Sequence, residues 1–305
     1  MFDIAGKRLW FLLISAAVIL ISIIALVVFG LKPGIEFSSG SMLTVSFEQE
    51  VDQSELRQEL ANLGYTNVII QRTGEGDFFI RTQALSGEEK AALESALTAR
   101  FGPATEREFY SVSPMVATET ANNAAIAVAV AAVGILLYIT WAFRRMPKPL
   151  HYGTCAVIAL VHDVLVVLGI FSILSAILGW EINLMFITGI LAIIGYSVNN
   201  IVVVFDRIRE NVRKGISTDF EVVVNNSIVE TLSRQLNTSL TTIFVVLALL
   251  LFVGASIQNF VVALLIGIVA GTFDSICIAP TLLIVWERGE WGRLVKRPSP
   301  ASSQS

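Results

Sequence analysis

The sequence predicts a membrane all-α bundle of six transmembrane helices with a small α+β domain inserted after the first. Its 305 residues have a mean hydropathy of +0.72 and are only 15% charged, too apolar for a soluble protein of this size. Six stretches are each apolar over about the 20 residues that cross a bilayer core. Between the first and second, residues 31–119 have the composition of a soluble domain. The net charge of -4 carries little weight, because Lys and Arg are sorted by compartment. Cys155 and Cys277 lie in apolar runs, and neither has a second Cys or a His at ligand spacing, so both read as packing residues.

The first apolar stretch runs from Trp10 to Gly30 behind Lys7 and Arg8. It is too long for a signal-peptide core and no A-x-A site follows, so the expectation is a retained helix within a segment 1–30, with a cytoplasmic amino end.

The soluble interval reads in order. Met42 to Phe47 alternates as a strand, Asp52 to Leu63 is helical with Leu56, Leu60 and Leu63 on one face, and Asn67 to Arg72 is a β-branched strand. Gly74 to Gly76 is a turn and Phe78 to Thr82 a strand. Ser86 caps a helix over Glu88 to Arg100, with Glu89 in capping-box position, and Glu108 to Val112 is a weak strand. That order, βαββαβ, is ferredoxin-like. The domain has no His and no Cys and nothing catalytic, so contact with a partner or passenger chain is its expected role.

Five more apolar segments follow within residues 120–288: Ala124 to Phe143, Tyr152 to Leu178, Ile182 to Phe205, Leu236 to Val253 and Phe260 to Trp286. Six spans put both termini on one side. Lys7 and Arg8, Arg144, Arg145 and Lys148, Arg207 to Lys214, Arg234, and Arg288 to Arg297 all fall on the side this assigns to the cytoplasm, while the outer loops near Trp180 and Ser256 have neither Lys nor Arg. Residues 217–233 read as an amphipathic helix lying along the membrane, with Phe220, Val223, Val224, Ile228 and Leu232 as its apolar stripe. The tail, 289–305, turns Ser- and Pro-rich after Arg297 and is expected to be disordered.

The fourth span carries the densest pattern, GYSVNNIVVVFDRIREN from Gly195 to Asn211. Asn199 and Asn200 precede Asp206, Arg207, Arg209 and Glu210 on one helix that runs from bilayer depth into water. Amides at such depth serve as helix contacts or mark a pathway, and both readings stand. Asp163, preceded by His162, lies roughly 16 Å beyond Tyr152 at 1.5 Å per residue. Asp274 is about as deep and continues a small-residue face made by Gly267 and Gly271, which with Gly195 are the candidate helix-packing glycines. Arg234 shares a face with Asn237, Thr238 and Thr241, and either snorkels to the interface or turns inward to a carboxylate.

An ionised Asp at mid-membrane costs about 2.5 to 3.5 kcal/mol even on the lenient insertion scale. A desolvated carboxyl exchanges protons near neutral pH if water reaches it. Each charge crossing 100 mV carries about 2.3 kcal/mol, enough for a few protons to drive a domain motion. The alternative for Asp163 is a neutral acid bonded to a neighbouring helix, or a cap.

Along nearly its whole length the sequence resembles the SecF subunits of the SecD–SecF protein-export complex, in the resistance-nodulation-division superfamily. The resemblance rests on GIEFSSGS at Gly34 to Ser41, VHDV at Val161 to Val164, the motif with Tyr196, Ser197, Asn199, Asp206 and Arg207, SRQLNTSLTT at Ser233 to Thr242, and GIVAGTFDSICIAP at Gly267 to Pro280. Glu36 and Ser39 depart from the family pattern G-x-D-F-x-G-G. The resemblance implies an accessory subunit of the bacterial cytoplasmic membrane that pairs with a SecD-like protein, assists the SecYEG channel and acts on a translocating preprotein, driven by the proton-motive force.

In the family, an Asp of the fourth helix and the Arg of S-R-x-L belong to the proton pathway. Here Arg234 is kept, but Asn200 replaces the Asp, and Asp274 stands where relatives have Ser. The resemblance therefore implies a proton pathway of Asp274, Arg234, Asn200 and Asp163 in which the titrating carboxylate has moved to the sixth helix, with Arg234 its expected partner. Membrane lipids are the remaining expected contact. No nucleic acid, metal or cofactor is expected, and no enzymatic activity. Gly271 to Asp274 reads GTFD, not the G-x-G-D of intramembrane aspartyl proteases. The alternative is a proton-coupled exporter subunit of the same superfamily moving a small molecule or lipid, although a lone exporter would need a second six-helix repeat.

Overall fold

The computed structural model describes residues 3–66, 68–72, 76–252 and 255–289. In chain order the elements are α1 (Arg8–Phe29), α2 (Ile35–Ser38), β1 (Gly40–Phe47), α3 (Gln53–Asn62), β2 (Ile69–Arg72), β3 (Phe78–Thr82), α4 (Gly87–Phe101) and β4 (Ala104–Val112). They continue with α5 (Pro114–Ala142), α6 (Pro149–Leu178), α7 (Leu184–Lys214), α8 (Phe220–Phe252) and α9 (Ala255–Phe273), then a π-helical turn (Asp274–Ile278) and α10 (Ala279–Glu287). The tail after Arg297 and most of the Gly74–Gly76 turn lie outside the described residues. The chain divides into two compact units, Lys32–Ile126 with Glu181–Leu184, and the remainder.

Among the described residues, six helices of the larger unit are long and apolar enough to cross a membrane: α1, α5, α6, α7, α8 and the run Ile257–Glu287. Their ends follow local chemistry. Pro149 opens α6, where its missing N–H is an orphan in any case, and Gly179 closes it in the left-handed conformation. The core is organised on α7, whose Phe186, Ile190, Ile193, Ser197, Asn200, Val204, Ile208 and Asn211 are all buried, a repeat of three and four residues that defines one inward face. Small residues set the closest approaches. A Cβ on Gly169 would fall 2.3 Å from Ser22 Cβ of α1, and one on Gly153 2.5 Å from Thr140 Oγ1 of α5.

One expectation is corrected here. The fifth span does not begin near Leu236 behind a separate surface helix, because Phe220–Phe252 is one helix of 33 residues with no Gly or Pro to interrupt it. Its apolar stripe packs inside the protein, Val224 and Ile228 with Phe205 and Ile208 in one core cluster and Phe220 and Leu232 against it. The helix that carries the second apolar stretch, Ala124 to Phe143, extends back to Pro114.

Ion pairs tie three helix ends of this unit together. Glu221 binds both Arg8 (2.8 Å) and Arg288 (2.5 Å), and Arg288 also binds Asp219 at 2.8 Å. Asn225 Oδ1 accepts from the backbone N–H of Ile4 and Ala5 at 2.9 and 3.1 Å. The start of α1, the start of α8 and the end of α10 are therefore at one end of the bundle. Asp219 lies in the connection between α7 and α8, and the Glu221 backbone N–H, then Arg288, hold its carboxyl below the usual range.

The smaller unit is a four-stranded antiparallel sheet in the order β2-β3-β1-β4. Leu43, Val45, Ile70, Phe78 and Ile80 of the strands enclose a core with Leu56 and Leu60 of α3 and Leu93 and Leu97 of α4. Asp52 caps α3, and Ser86 with Glu89 forms the expected capping box on α4. Arg81 of β3 fixes the segment before β1: it donates to Glu181 (2.5 Å), Ser38 Oγ (2.6 Å) and the Pro33 carbonyl (3.2 Å), while Gly34 N–H donates to the Ile182 carbonyl at 2.8 Å. Ser39 has φ 64° and ψ 165°, a region that favours glycine, and Gly40 has φ 133° with room for a Cβ only 2.6 Å from the Thr82 carbonyl oxygen.

Candidate functional site

Three helices of the larger unit converge on a buried polar cluster. α6 contributes His162 and Asp163, α7 contributes Ser197, and the π turn contributes Asp274. Both aspartates and Ser197 are fully buried and His162 is 4% exposed. His162 Nδ1 lies 2.7 Å from Asp274 Oδ2, and Ser197 Oγ donates to Asp163 Oδ2 at 2.5 Å. One side-chain oxygen or nitrogen from each of His162, Asp163 and Asp274 lies within 4.8 Å of the other two.

The local sequence explains this convergence. Gly271 has no side chain where a Cβ would come 3.0 Å from Ser197 Cβ and 3.4 Å from Asp163 Oδ2, so it lets the sixth span close on α6 and α7. Further along the same span, Pro280 has no N–H to donate to the carbonyl of Ile276 and its ring crowds that carbonyl. The preceding turn widens to π geometry, with the Ala279 N–H reaching back to the Asp274 carbonyl. π turns inside longer helices are frequent at functional sites, and this one begins at Asp274.

The cluster is short of partners. Both ring nitrogens of His162, both oxygens of Asp274, Asp163 Oδ1 and Asn200 Nδ2 make no aligned hydrogen bond. The His162–Asp274 pair is at hydrogen-bond distance without hydrogen-bond alignment. Among the described residues no Lys or Arg lies within ion-pair distance of either aspartate. Two carboxyl groups this close and this deeply buried do not both ionise without a compensating positive charge, so the arrangement is suited to binding and releasing protons.

The structure brings together Asp163, Asp274, Ser197 and Gly271, with Asn200 on the face of α7 that carries Ser197. It does not bring Arg234 there. Arg234 is exposed, as are Asn237, Thr238 and Thr241, and the inward face of α8 is instead Thr231, Gln235 and Ser239. Ser275 Oγ donates to Gln235 Oε1 at 2.8 Å, and Ser239 Oγ accepts from Tyr196 Oη (3.0 Å) and Thr272 Oγ1 (2.7 Å), which links α7, α8 and α9. The threonines of the exposed face turn their hydroxyls onto their own helix, Thr238 to the Arg234 carbonyl and Thr241 to that of Asn237.

Two further readings change. Gly195 is exposed, and nothing within this chain packs on it, whereas a Cβ on Gly267 would lie 2.3 Å from Ile193 Cδ1. Asn199 is exposed, and only its neighbour Asn200 points inward. The charged end of the motif forms a network with α8: Arg207 pairs with Glu210 and Glu230, each at 2.5 Å, Asn211 donates to Glu230 at 2.9 Å, and Arg209 pairs with Asp206. His162 was passed over in the sequence because its partner is in the last span.

A single six-helix unit with an ionisable cluster at its centre, joined to a small antiparallel sheet unit, defines a multi-pass membrane protein. The family described as "Protein export membrane protein SecD/SecF, C-terminal" matches residues 92–289, and the "SecD/SecF GG Motif" matches residues 24–51. The protein translocase subunit SecF of Thermobaculum terrenum is 42% identical over 99% of this chain and 99% of its own length, and that of Anaerolinea thermophila 40% over 99% and 100%. The crystal structure of SecDF from Thermus, titled a translocon-associated membrane protein, superposes with a TM-score of 0.80 at 32% identity, over 94% of this chain and 39% of that longer one. The chain belongs to the SecD/SecF family of protein-export membrane proteins and resembles its SecF members end to end.

Proposed function

We propose that this chain is the SecF-type half of a two-subunit export device that uses the proton-motive force to assist preproteins leaving the SecYEG channel. The observation that carries the proton reading is the buried cluster of Asp163, Asp274 and His162, with no Lys or Arg paired to it among the described residues. Such a cluster changes its proton count when water reaches it, and the change in charge alters how α6, α7 and the last span pack. The SecD-like partner is assigned to the exposed polar face of α8. Arg234 and Asn237 are expensive to leave in lipid, and a second six-helix subunit with a carboxylate would satisfy them. The carboxylate that meets Arg234 is then the partner's.

The smaller unit is read as ferredoxin-like, supported by its βαββαβ element order and its β2-β3-β1-β4 sheet, and placed outside the cytoplasm by the positive-inside pattern, which puts both termini in the cytoplasm. Its exposed surface is offered to the emerging chain. No chemistry is assigned to it, and the protein is read as a transporter component rather than an enzyme.

The test is preprotein translocation into vesicles holding the channel, the SecD-like subunit and this chain, with and without an imposed proton gradient. The proposal expects a gradient-dependent increment that disappears with Arg234→Gln. Translocation indifferent to the gradient with every component present would defeat it.

A further inference from the structure

We propose that His162 is the counter-ion and proton partner of Asp274, so that the proton site of this chain is an imidazole–carboxyl pair bridging the third and sixth spans rather than a carboxylate matched to an arginine. The inference deepens the proton reading above and rests on geometry. His162 Nδ1 is 2.7 Å from Asp274 Oδ2 and both groups are buried; Asp163 also faces Asp274, and the Ser15 backbone of α1 faces His162. Asp163, the next residue on α6, is engaged by Ser197. Asp163 thus lies between Ser197 of α7 and Asp274, whereas the carboxylate that His162 meets at ion-pair distance is that of the π turn.

What surrounds the pair leaves the imidazole as the available positive charge. α1 packs on the π turn, its Phe11 meets Phe273 at the end of α9, and the group it turns to His162 is the uncharged Ser15 backbone; its one basic residue, Arg8, is held by Glu221 at the far end of the helix. α6 presents Asp163, and α7 presents Ser197 and Asn200. α8 presents Gln235, already bonded to Ser275, and α9 presents the bare Gly271. The π turn adds Cys277, and α10 adds only Thr281, bonded to its own helix.

The balance is simple. With the imidazole neutral and Asp274 ionised, the pair carries one negative charge. One proton entering makes it neutral, either as imidazolium beside carboxylate or as imidazole beside carboxylic acid, and the two forms differ by moving that proton between Nδ1 and Oδ2 across the short contact. The pair thus accepts a proton without a net positive charge being buried, which a lone histidine in this setting does not achieve. It also gives the π turn a role, since widening the turn at Asp274 sets where the carboxyl meets the ring.

The chain contains only two histidines, so the pair can be watched directly. Full-length protein labelled with nitrogen-15 in histidine and reconstituted in nanodiscs gives two imidazoles, and His151→Gln, which removes the ring stacked on Trp286, assigns the other. The expected result is a His162 signal that titrates between pH 5 and 9, with a midpoint that moves by at least about one pH unit in Asp274→Asn and returns toward wild type in Asp274→Glu. A His162 signal flat across that range, one with the same midpoint in wild type and Asp274→Asn, or one that answers added Na+ or Zn2+ but not pH would overturn the proposal. If Asp274→Asn fails to fold, the nitrogen-15 to carbon-13 dipolar coupling between His162 Nδ1 and a labelled aspartate Cγ in wild type decides: no coupling refutes the pair. A titrating, coupled pair in a protein whose export ignores the proton gradient would uphold the pair and reject the export mechanism.

Discussion

Ser197 of the fourth span donates its hydroxyl to Asp163 of the third at 2.5 Å, and Gly271 of the sixth leaves the space in which that bond forms. The bond gives Asp163 a fixed partner and leaves Asp274 without one among the α7 side chains, which separates the two carboxyls into a positioned group and an exchangeable one. Ser197→Ala should leave Asp163 with both oxygens unpaired and slow gradient-driven export severalfold, whereas Ser197→Thr, which keeps the hydroxyl, should retain most of it. Export rates with and without a gradient, compared between the two variants, check this.

The glycines of the sixth span and of the fourth should behave oppositely. A Cβ at residue 267 would meet Ile193 at 2.3 to 2.6 Å, so Gly267→Ala is expected to cost about 1 to 3 kcal/mol through overpacking. Gly195 has nothing within 4 Å, so Gly195→Ala should be neutral or stabilising by up to about 1 kcal/mol through helix propensity. Unfolding midpoints in detergent compare the two.

In the smaller unit, Ser39 occupies a backbone conformation suited to glycine, at φ 64°. Ser39→Gly should stabilise the protein by about 1 kcal/mol, the relieved strain exceeding the added freedom of the unfolded chain. Gly40→Ala should destabilise it, because the new methyl meets the Thr82 carbonyl. Denaturant midpoints of the full chain report both.

The capping box of α4 gives a pH dependence with a definite sign. The Ser86 backbone N–H, then its hydroxyl, hold Glu89 below the ordinary glutamate range. A group lowered in the folded state contributes fully above its unfolded value and less as pH falls through the folded one. Amide exchange at the start of α4 should therefore be pH-independent in its protection above about pH 5 and rise in excess of the intrinsic trend below the ordinary value of about 4.3. Glu89→Gln should flatten that excess.

How far the sequence carried these conclusions varies by element. Six apolar runs and the Ser86–Glu89 pair were legible because each rests on chemistry within one segment. The face of α8 was not, because that helix carries two polar stripes, one through Arg234, Asn237 and Thr241 and one through Thr231, Gln235 and Ser239, and in lipid the outward side is as apolar as the core. The His162–Asp274 contact joins the third and last spans, so no local pattern announces it. Pro280 was the only local trace of the π turn, and a proline permits several outcomes upstream. Asp274 stood out as a carboxylate at bilayer depth, but its expected partner, Arg234, came from the family's S-R-x-L pattern, and that side chain is exposed on α8.

The central claim is that Asp274 is the carboxylate whose protonation couples the gradient to export, and a proton-driven translocation assay of the reconstituted two-subunit complex carrying Asp274→Asn tests it most directly. The account predicts that the gradient-dependent increment falls at least tenfold while gradient-independent translocation persists. An increment unchanged in Asp274→Asn but abolished by Asp163→Asn would contradict it.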